Sequence, residues 1–203
     1  MFLFNNNGSS NCKNLESDRI LLRQLKLDDL EAIMAYATDP EATKWLSIGV
    51  QTEQQVLQWL IRCLNSNCNP SNTLYWAICL KGSEECIGCI EVSIHKDGPT
   101  EDICGVIGYA SSSDYWGKGY MPEAAKLVVD FIFFNFSEVC LLKIPVYTPN
   151  TASQRVAEKL GFTMASLMKD YAEKNSESFD ANIFTLSKAD WLEKQKGLQT
   201  LGQ

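Results

Sequence analysis

The pattern of apolar and polar residues divides the chain into strands and helices in mixed order. Period-two alternation and short apolar runs predict strands at residues 19–23, 74–80, 86–94, 103–110, 139–147, 162–167 and 179–186. Apolar residues at helical spacing predict helices over residues 25–34, 41–46, 53–65, 122–135 and 150–160, with a short one after residue 190. Short turns join three consecutive strands into an antiparallel meander. The order predicts one α/β (α+β) domain around a single sheet.

Both ends of the chain lack this pattern. We expect a flexible tail at residues 1–16, a folded domain at 17–191 and a C-terminal tail at 192–203. No apolar run reaches the ~18 residues that a membrane span needs. We therefore expect no membrane partner. The eight cysteines show no framework spacing, and no secretory signal is recognisable, so they predict reduced thiols in a cytoplasmic protein.

The charge and the potential metal ligands narrow the class of function. A net charge of −7 argues against a nucleic-acid-binding surface and is compatible with a cationic substrate such as an amine. His95 is the only histidine, and Cys86-x-x-Cys89 has no second pair to complete a zinc site. We therefore expect no metal.

A glycine-rich stretch, Tyr115-Trp116-Gly117-Lys118-Gly119-Tyr120, lies between a predicted strand and a predicted helix. Glycine permits positive φ and close backbone approach, so successive N–H groups can point into one concavity. Pro122 suits the first turn of a helix, and a helix N-terminus attracts anions. The stretch indicates an anion cradle, most naturally for a pyrophosphate, although simple turns carry the same pattern.

A second junction opens with Asn150 and closes with Gly161. Asn150 or Thr151 is suited to cap a helix, and a glycine commonly ends one. A capped amphipathic helix explains most of this stretch. The pairing of two strand-to-helix junctions, one rich in glycine and one opened by Asn and containing Ser153, is what a long thioester cofactor lying across a sheet edge would use.

Four motifs in order resemble the acetyl-CoA-dependent N-acetyltransferase (GNAT) superfamily, ribosomal-protein N-terminal acetyltransferase branch (RimJ/RimL type), over about residues 17–190. They are Ser17-Asp18-Arg19-Ile20-Leu21-Leu22-Arg23, Ile107-Gly108-Tyr109, Trp116-Gly117-Lys118-Gly119-Tyr120 with Glu123-Ala124, and Asn150-x-x-Ser153-x-x-Val156-x-Glu158-Lys159-Leu160-Gly161-Phe162. The resemblance implies a central, mostly antiparallel mixed sheet, flanked by helices, whose fourth and fifth strands splay apart. Acetyl-CoA would fill the V-shaped gap.

The same resemblance implies which residues would bind acetyl-CoA. The end of the fourth strand would contact the pantetheine and the thioester carbonyl through Tyr109, Ala110 and Ser111. Asn150 and Ser153 would face the pantetheine arm and the sulfur. Lys118 either adds charge near the phosphates or is a solvated side chain. The loop would hold the pyrophosphate through the amides of Tyr115, Trp116, Gly117, Lys118, Gly119 and Tyr120.

The implied reaction is direct attack of an amine on the thioester carbonyl, and it needs an oxyanion donor, an acid and a base. The backbone N–H near Ala110 is the expected oxyanion donor. Ser153 either protonates the leaving thiolate or only stabilises the start of its helix, and Asn150 is a second catalytic candidate at the same helix start. Many relatives carry a glutamate just before Ile-Gly-Tyr, where this chain has Val106, which cannot accept a proton.

Other groups must therefore replace the missing base. Glu91 on the neighbouring strand is one candidate if it faces the cleft, and a water chain to bulk solvent is another. Glu173 is a further candidate, in the 170–178 segment expected between the last two strands. Tyr171 is expected to line the same pocket, and Asp180 is expected to be structural.

The expected activity is transfer of an acetyl group from acetyl-CoA to a primary amine, on either a protein N-terminus or a small molecule. The alternative is a non-catalytic acyl-CoA-binding or sensing module, which the valine at position 106 keeps open. A nucleotide-binding fold is disfavoured because strands and helices do not alternate regularly. We expect a monomer or a homodimer.

Overall fold

A computed structural model describes residues 12–46, 49–68, 72–98, 102–174 and 176–200. Its strands form one eight-stranded sheet with the order β1-β2-β3-β4-β5-β6-β8-β7. The strands are β1 (Leu15–Glu16), β2 (Ile20–Arg23), β3 (Thr73–Leu80), β4 (Cys86–Asp97), β5 (Asp102–Ser111), β6 (Val139–Tyr147), β7 (Thr163–Lys174) and β8 (Glu177–Ser187). Every neighbouring pair is antiparallel except β5 with β6.

Six α-helices flank the sheet within the described residues: α1 (Leu30–Ala37), α2 (Pro40–Thr43), α3 (Glu53–Cys68), α4 (Tyr120–Asn135), α5 (Thr151–Lys159) and α6 (Lys188–Thr200). The predicted α/β (α+β) class is confirmed. The first predicted helix begins later than expected because Leu27–Asp29 forms a 3₁₀ turn. No described helix combines the length and apolar content needed to cross a bilayer.

Apolar side chains cover both faces of the sheet. Along β3, Trp76 packs into the cluster under α4, whereas Ala77 packs into the cluster under α1 and α3. The two clusters alternate because successive strand residues point to opposite faces. The sheet is therefore the middle layer of three.

The predicted splay between the fourth and fifth strands is confirmed. In the structure these two strands are β5 and β6, because the short strand β1 precedes the strand that was predicted as the first. Their parallel pairing runs only from Ile103 opposite Val139 to Val106 opposite Lys143. Beyond that point β6 pairs with β8 alone, and residues 107–111 of β5 pair with β4 alone. A gap therefore opens between the ends of β5 and β6.

The structure moves both domain boundaries and reassigns one segment. Leu15–Glu16 pairs with β2 and Cys12 is buried, so the predicted tail at 1–16 is wrong for its last residues; residues 1–11 lie outside the described part. The short helix predicted after residue 190 is α6, which begins at Lys188 and runs to Thr200 through much of the stretch expected to be a tail. The 170–178 segment is not a separate connection. It forms the end of β7 and the start of β8.

Candidate active site

A cleft of about 1030 Å³ begins at the gap between β5 and β6. One wall, the glycine side, consists of residues 115–117 and 119–122 and the α5 region 150–159. The opposite wall, the aromatic side, is built around Tyr36, Trp45, Trp59 and Tyr171. Glu91, Val106 and the end of β5 lie at the floor between the two walls.

The glycine side owes its shape to two residues with left-handed backbone. Gly117 has φ of 73° and Gly119 has φ of 82°. Gly119 is also the N-cap of α4, with no side chain capping the helix. The first N–H groups of a helix have no intrahelical acceptor, so this turn presents donors and a partial positive charge to the cleft.

Lys118 does not line this cleft. Its Nζ lies 5.2 Å from the ring centroid of Tyr115, a cation–π contact on the loop surface. The loop therefore presents main-chain groups and the Tyr115 and Trp116 side chains, rather than the lysine charge.

The connection between β1 and β2 braces the glycine loop, a contact that sequence reasoning did not identify. Arg19 donates from Nε to Glu123 Oε2 at 2.8 Å and from Nη1 to the Lys118 carbonyl at 3.0 Å. Its guanidinium also lies over the Tyr120 ring, and Ser17 donates to the same glutamate. The available signal was the presence of Ser17, Arg19 and Glu123 within the motifs that carry the resemblance.

The start of α5 separates the roles of Asn150 and Ser153. Asn150 Oδ1 accepts a hydrogen bond from the Ser153 N–H at 3.1 Å, so Asn150 is the N-cap. The Ser153 hydroxyl instead lies 2.8 Å from the Tyr109 hydroxyl of β5. Burial raises the pKa of Tyr109 to about 12, partly offset by this hydrogen bond. A hydroxyl pair thus bridges β5 and α5 across the gap.

Tyr109, Ala110 and Ser111 line the cleft at the end of β5. β4 covers one edge of this segment, where Ala110 pairs with Cys89. The Trp116 indole donates to the Ser111 carbonyl at 3.1 Å and ties the glycine loop to the strand. The splay leaves the other edge of the strand facing the cleft.

Glu91 of β4 faces the cleft, as its candidacy required. It pairs with Gly108 of β5, and a Cβ built on that glycine would lie 3.1 Å from Glu91 Oε1. The carboxylate therefore lies above β5, on the face that Val106 shares two residues away. Burial raises the pKa of Glu91, and a hydrogen bond with Tyr75 opposes that rise.

Of the other predicted residues, one lines the cleft and two do not. Tyr171 lines the cleft, as expected. Glu173 is exposed, pairs with Ser178 in the β7–β8 hairpin and is not among the lining residues. Asp180 Oδ1 accepts from the Asp170 N–H at 3.0 Å, a contact within the same hairpin.

The aromatic side was not predicted in detail. Trp59 packs edge-on against Tyr75, with ring centroids 6.2 Å apart, and the Tyr36 hydroxyl lies 3.2 Å from Cys89 Sγ. Glu91 is the one carboxylate among the described residues that line the cleft. The polar lining of the aromatic side also includes three amide side chains, Gln51, Gln55 and Gln58.

Comparison with known proteins agrees with this architecture. The family model for the acetyltransferase (GNAT) domain matches residues 19–163. The uncharacterized N-acetyltransferase p20 of Bacillus licheniformis is 26% identical over 179 residues, which cover 87% of this chain and 97% of that protein. The chain belongs to the GNAT acetyltransferase family, and its enzymatic class is that of an N-acetyltransferase.

Solved structures share the fold. A GNAT-family acetyltransferase from Bacillus anthracis has a TM-score of 0.73 and 24% identity, covering 87% of this chain and 99% of its own. RimL, a ribosomal L7/L12 alpha-N-protein acetyltransferase solved with coenzyme A, has a TM-score of 0.73 and 17% identity. The match covers 86% of this chain and 98% of the RimL chain. The expected GNAT fold is confirmed.

Proposed function

We propose that this protein transfers an acetyl group from acetyl-CoA to a primary amine by direct attack on the thioester. One observation carries the proposal. The glycine side and the Glu91 carboxylate lie in one cleft and meet at the open end of β5. Donors for a phosphorylated cofactor and a proton acceptor for an amine are therefore parts of the same site.

The residues of the glycine side fit acetyl-CoA. The loop at Gly117 and Gly119 supplies main-chain donors for a pyrophosphate, and no atom lies within 4 Å of a Cβ built on Gly117. Arg155 and Lys159 line the same wall and suit further phosphate oxygens. The end of β5 suits an extended pantetheine arm. When bound, acetyl-CoA supplies an acetyl group activated for attack by a nucleophile.

Three groups of this chain divide the chemistry. Glu91 accepts the proton of the incoming ammonium, and burial favours this uptake because it raises the pKa of the carboxyl. The backbone N–H near Ala110 donates to the carbonyl oxygen as negative charge develops there. The Ser153 hydroxyl, paired with that of Tyr109, supplies a proton for the departing sulfur. Asn150 orients Ser153 by capping α5.

The lining of the aromatic side suggests the kind of amine. A polycation would meet one carboxylate there, alongside Arg62. An acceptor with one amine and an apolar or aromatic body matches Trp45, Trp59 and Tyr171 better. A protein N-terminus, the acceptor of the RimJ/RimL branch, and a free small-molecule amine both satisfy this description.

Two structural neighbours bear on the co-substrate, and one of them on the acceptor. RimL is described as an alpha-N-protein acetyltransferase, and the microcin C7 self-immunity acetyltransferase MccE was solved with acetyl-CoA and AMP. Both support acetyl-CoA as the co-substrate here. We place this protein with the RimJ/RimL branch, as a cytoplasmic enzyme that needs no metal and acts as a monomer or homodimer.

The test is release of free thiol from acetyl-CoA in the presence of an amine panel. The panel contains aromatic monoamines, short peptides with free N-termini, and spermidine. We expect turnover with the first or second group and a lower kcat/KM for spermidine. Acetyl-CoA binding without turnover on any amine would instead support a sensing module, the reading that Val106 keeps open.

A further inference from the structure

The position of the Glu91 carboxylate depends on two neighbours that have no assigned role. Glu91 lies between Tyr75 of β3 and Gly108 of β5, because the three residues are cross-strand partners in consecutive strands. Cross-strand partners place their side chains on the same face of the sheet. The carboxylate therefore has a hydroxyl on one side and a residue without a side chain on the other.

We infer that Tyr75 and Gly108 are positioning residues for Glu91: the Tyr75 hydroxyl holds the carboxylate, and the absent side chain at Gly108 gives it room above β5. The inference rests on the proposed role of Glu91 as the base. Neither residue touches the reacting atoms.

The space at Gly108 is specific to the carboxylate. The three atoms nearest to a Cβ built there all belong to Glu91, with Oε1 at 3.1 Å, Cγ at 3.4 Å and Cδ at 3.6 Å. A carbon–oxygen contact of 3.1 Å is shorter than ordinary van der Waals contact, so the carboxylate would move away from β5. Val106 lies two residues along the same face, and the part of β5 that lines the cleft carries no acid of its own.

Tyr75 is itself held in place. Its ring packs edge-on against Trp59 of α3, with the ring centroids 6.2 Å apart. A hydroxyl fixed in this way donates to the charged carboxylate and favours the ionised form that a base needs.

Few other groups near Glu91 titrate in the acid range. The thiols of Cys89 on β4 and Cys63 on α3 and the Tyr36 phenol on α1 all have pKa values raised by burial, and they remain neutral there. Arg62 of α3 also lines the cleft. The acid limb of the pH profile therefore reports on Glu91.

The first test is Tyr75→Phe, which keeps the ring and removes the hydroxyl. Loss of a hydrogen bond to the ionised form raises the pKa of Glu91, so the acid limb of kcat/KM should move to higher pH. The plateau kcat should stay within about threefold of wild type, because the base itself is intact. Acetyl-CoA affinity should not change. An acid limb at the wild-type pH would overturn the role of Tyr75.

The second test is Gly108→Ala, with a matched control in Gly197→Ala, where a Cβ meets nothing within 4 Å. A misplaced base costs rate rather than cofactor binding, so kcat should fall about tenfold with an unchanged acetyl-CoA Kd. Adding Gly108→Ala to Glu91→Gln should have no further effect. An equal loss in that background would show a structural defect and refute the role of Gly108.

The third test relocates the base and remains informative if Gly108→Ala fails to fold. Glu91→Gln combined with Val106→Glu places a carboxylate on the same face, about 7 Å along β5 from position 108. We expect at least a tenfold gain in kcat over Glu91→Gln alone. No gain would contradict a proton acceptor above β5. If Glu91→Gln alone keeps the wild-type rate, the base assignment fails together with this inference, while acetyl transfer stands.

Discussion

The two walls of the cleft are built in different ways. The glycine side uses main-chain geometry from two contiguous stretches, and its key features are two positive φ angles and an N-cap. The aromatic side uses side chains from α1, the segment after α2, α3 and β7, which are far apart in sequence. A main-chain cradle tolerates most changes in its side chains, whereas a wall of side chains changes with every substitution. The contrast suggests one wall suited to a constant co-substrate and another that sets acceptor choice.

We expect the largest effect from a substitution at the floor of the cleft, between the two walls. Glu91→Gln removes the proton acceptor and keeps the side-chain volume, so kcat should fall about a hundredfold or more. The Kd for acetyl-CoA should stay within about twofold of wild type, because Glu91 contributes nothing to the glycine side. Steady-state kinetics and calorimetric titration measure the two quantities. A large rise in Kd with normal kcat would break the division between the walls.

A change on the glycine side should have the opposite signature. A non-glycine residue at the left-handed Gly119 costs about 1–2 kcal/mol, and the new Cβ would lie 3.4 Å from Arg19 Nη2. We expect Gly119→Ala to weaken acetyl-CoA binding about tenfold, while kcat at saturating acetyl-CoA changes little. Gly197→Ala is the control for a glycine in open space. Normal affinity in Gly119→Ala would mean that the cradle does not use this turn.

Sequence reasoning succeeded where the physical signal is local. The strand at 139–147 was predicted correctly, and Asn150 is one of the two caps predicted for α5, because alternation and N-cap chemistry lie within a few consecutive residues. The glycine loop was found for the same reason. The lining of the aromatic side was not predicted, since nothing in the sequence near Trp45 or Trp59 shows which strand each will face.

The position of Glu91 illustrates the limit. Its place in an alternating strand does not reveal which face it occupies, and a one-residue change of register would have turned it away from the cleft. The contact with Gly108 depends on the β4–β5 register, which only the folded sheet defines. The exposed position of Glu173 likewise follows from the β7–β8 hairpin, which the sequence did not delimit.

An intermediate effect is expected at Ser153, which links the glycine side to β5 at the floor of the cleft. Asn150 already caps α5, so Ser153→Ala should lower the free energy of unfolding by less than about 1 kcal/mol. Its loss should reduce kcat up to about tenfold, because the Tyr109 hydroxyl remains to supply a proton. Asn150→Ala is the contrasting variant, and it should cost about 1 kcal/mol of stability. Thermal unfolding and kcat, measured together, separate a helix-start role from a catalytic one.

The smallest effect is expected at Lys118, and it sharpens the claim that the glycine side acts through its main chain. The lysine lies over the Tyr115 ring outside the cleft, and exposed charges contribute about 1 kcal/mol or less. Lys118→Ala should therefore change the Kd for acetyl-CoA less than about twofold. Arg155→Ala, which removes a cation that lines the cleft, should weaken binding more and reduce its salt dependence. If Lys118→Ala weakened acetyl-CoA binding more than Arg155→Ala does, the side-chain charge of the loop would contribute more than its amides. The two walls would then differ less than their geometry indicates.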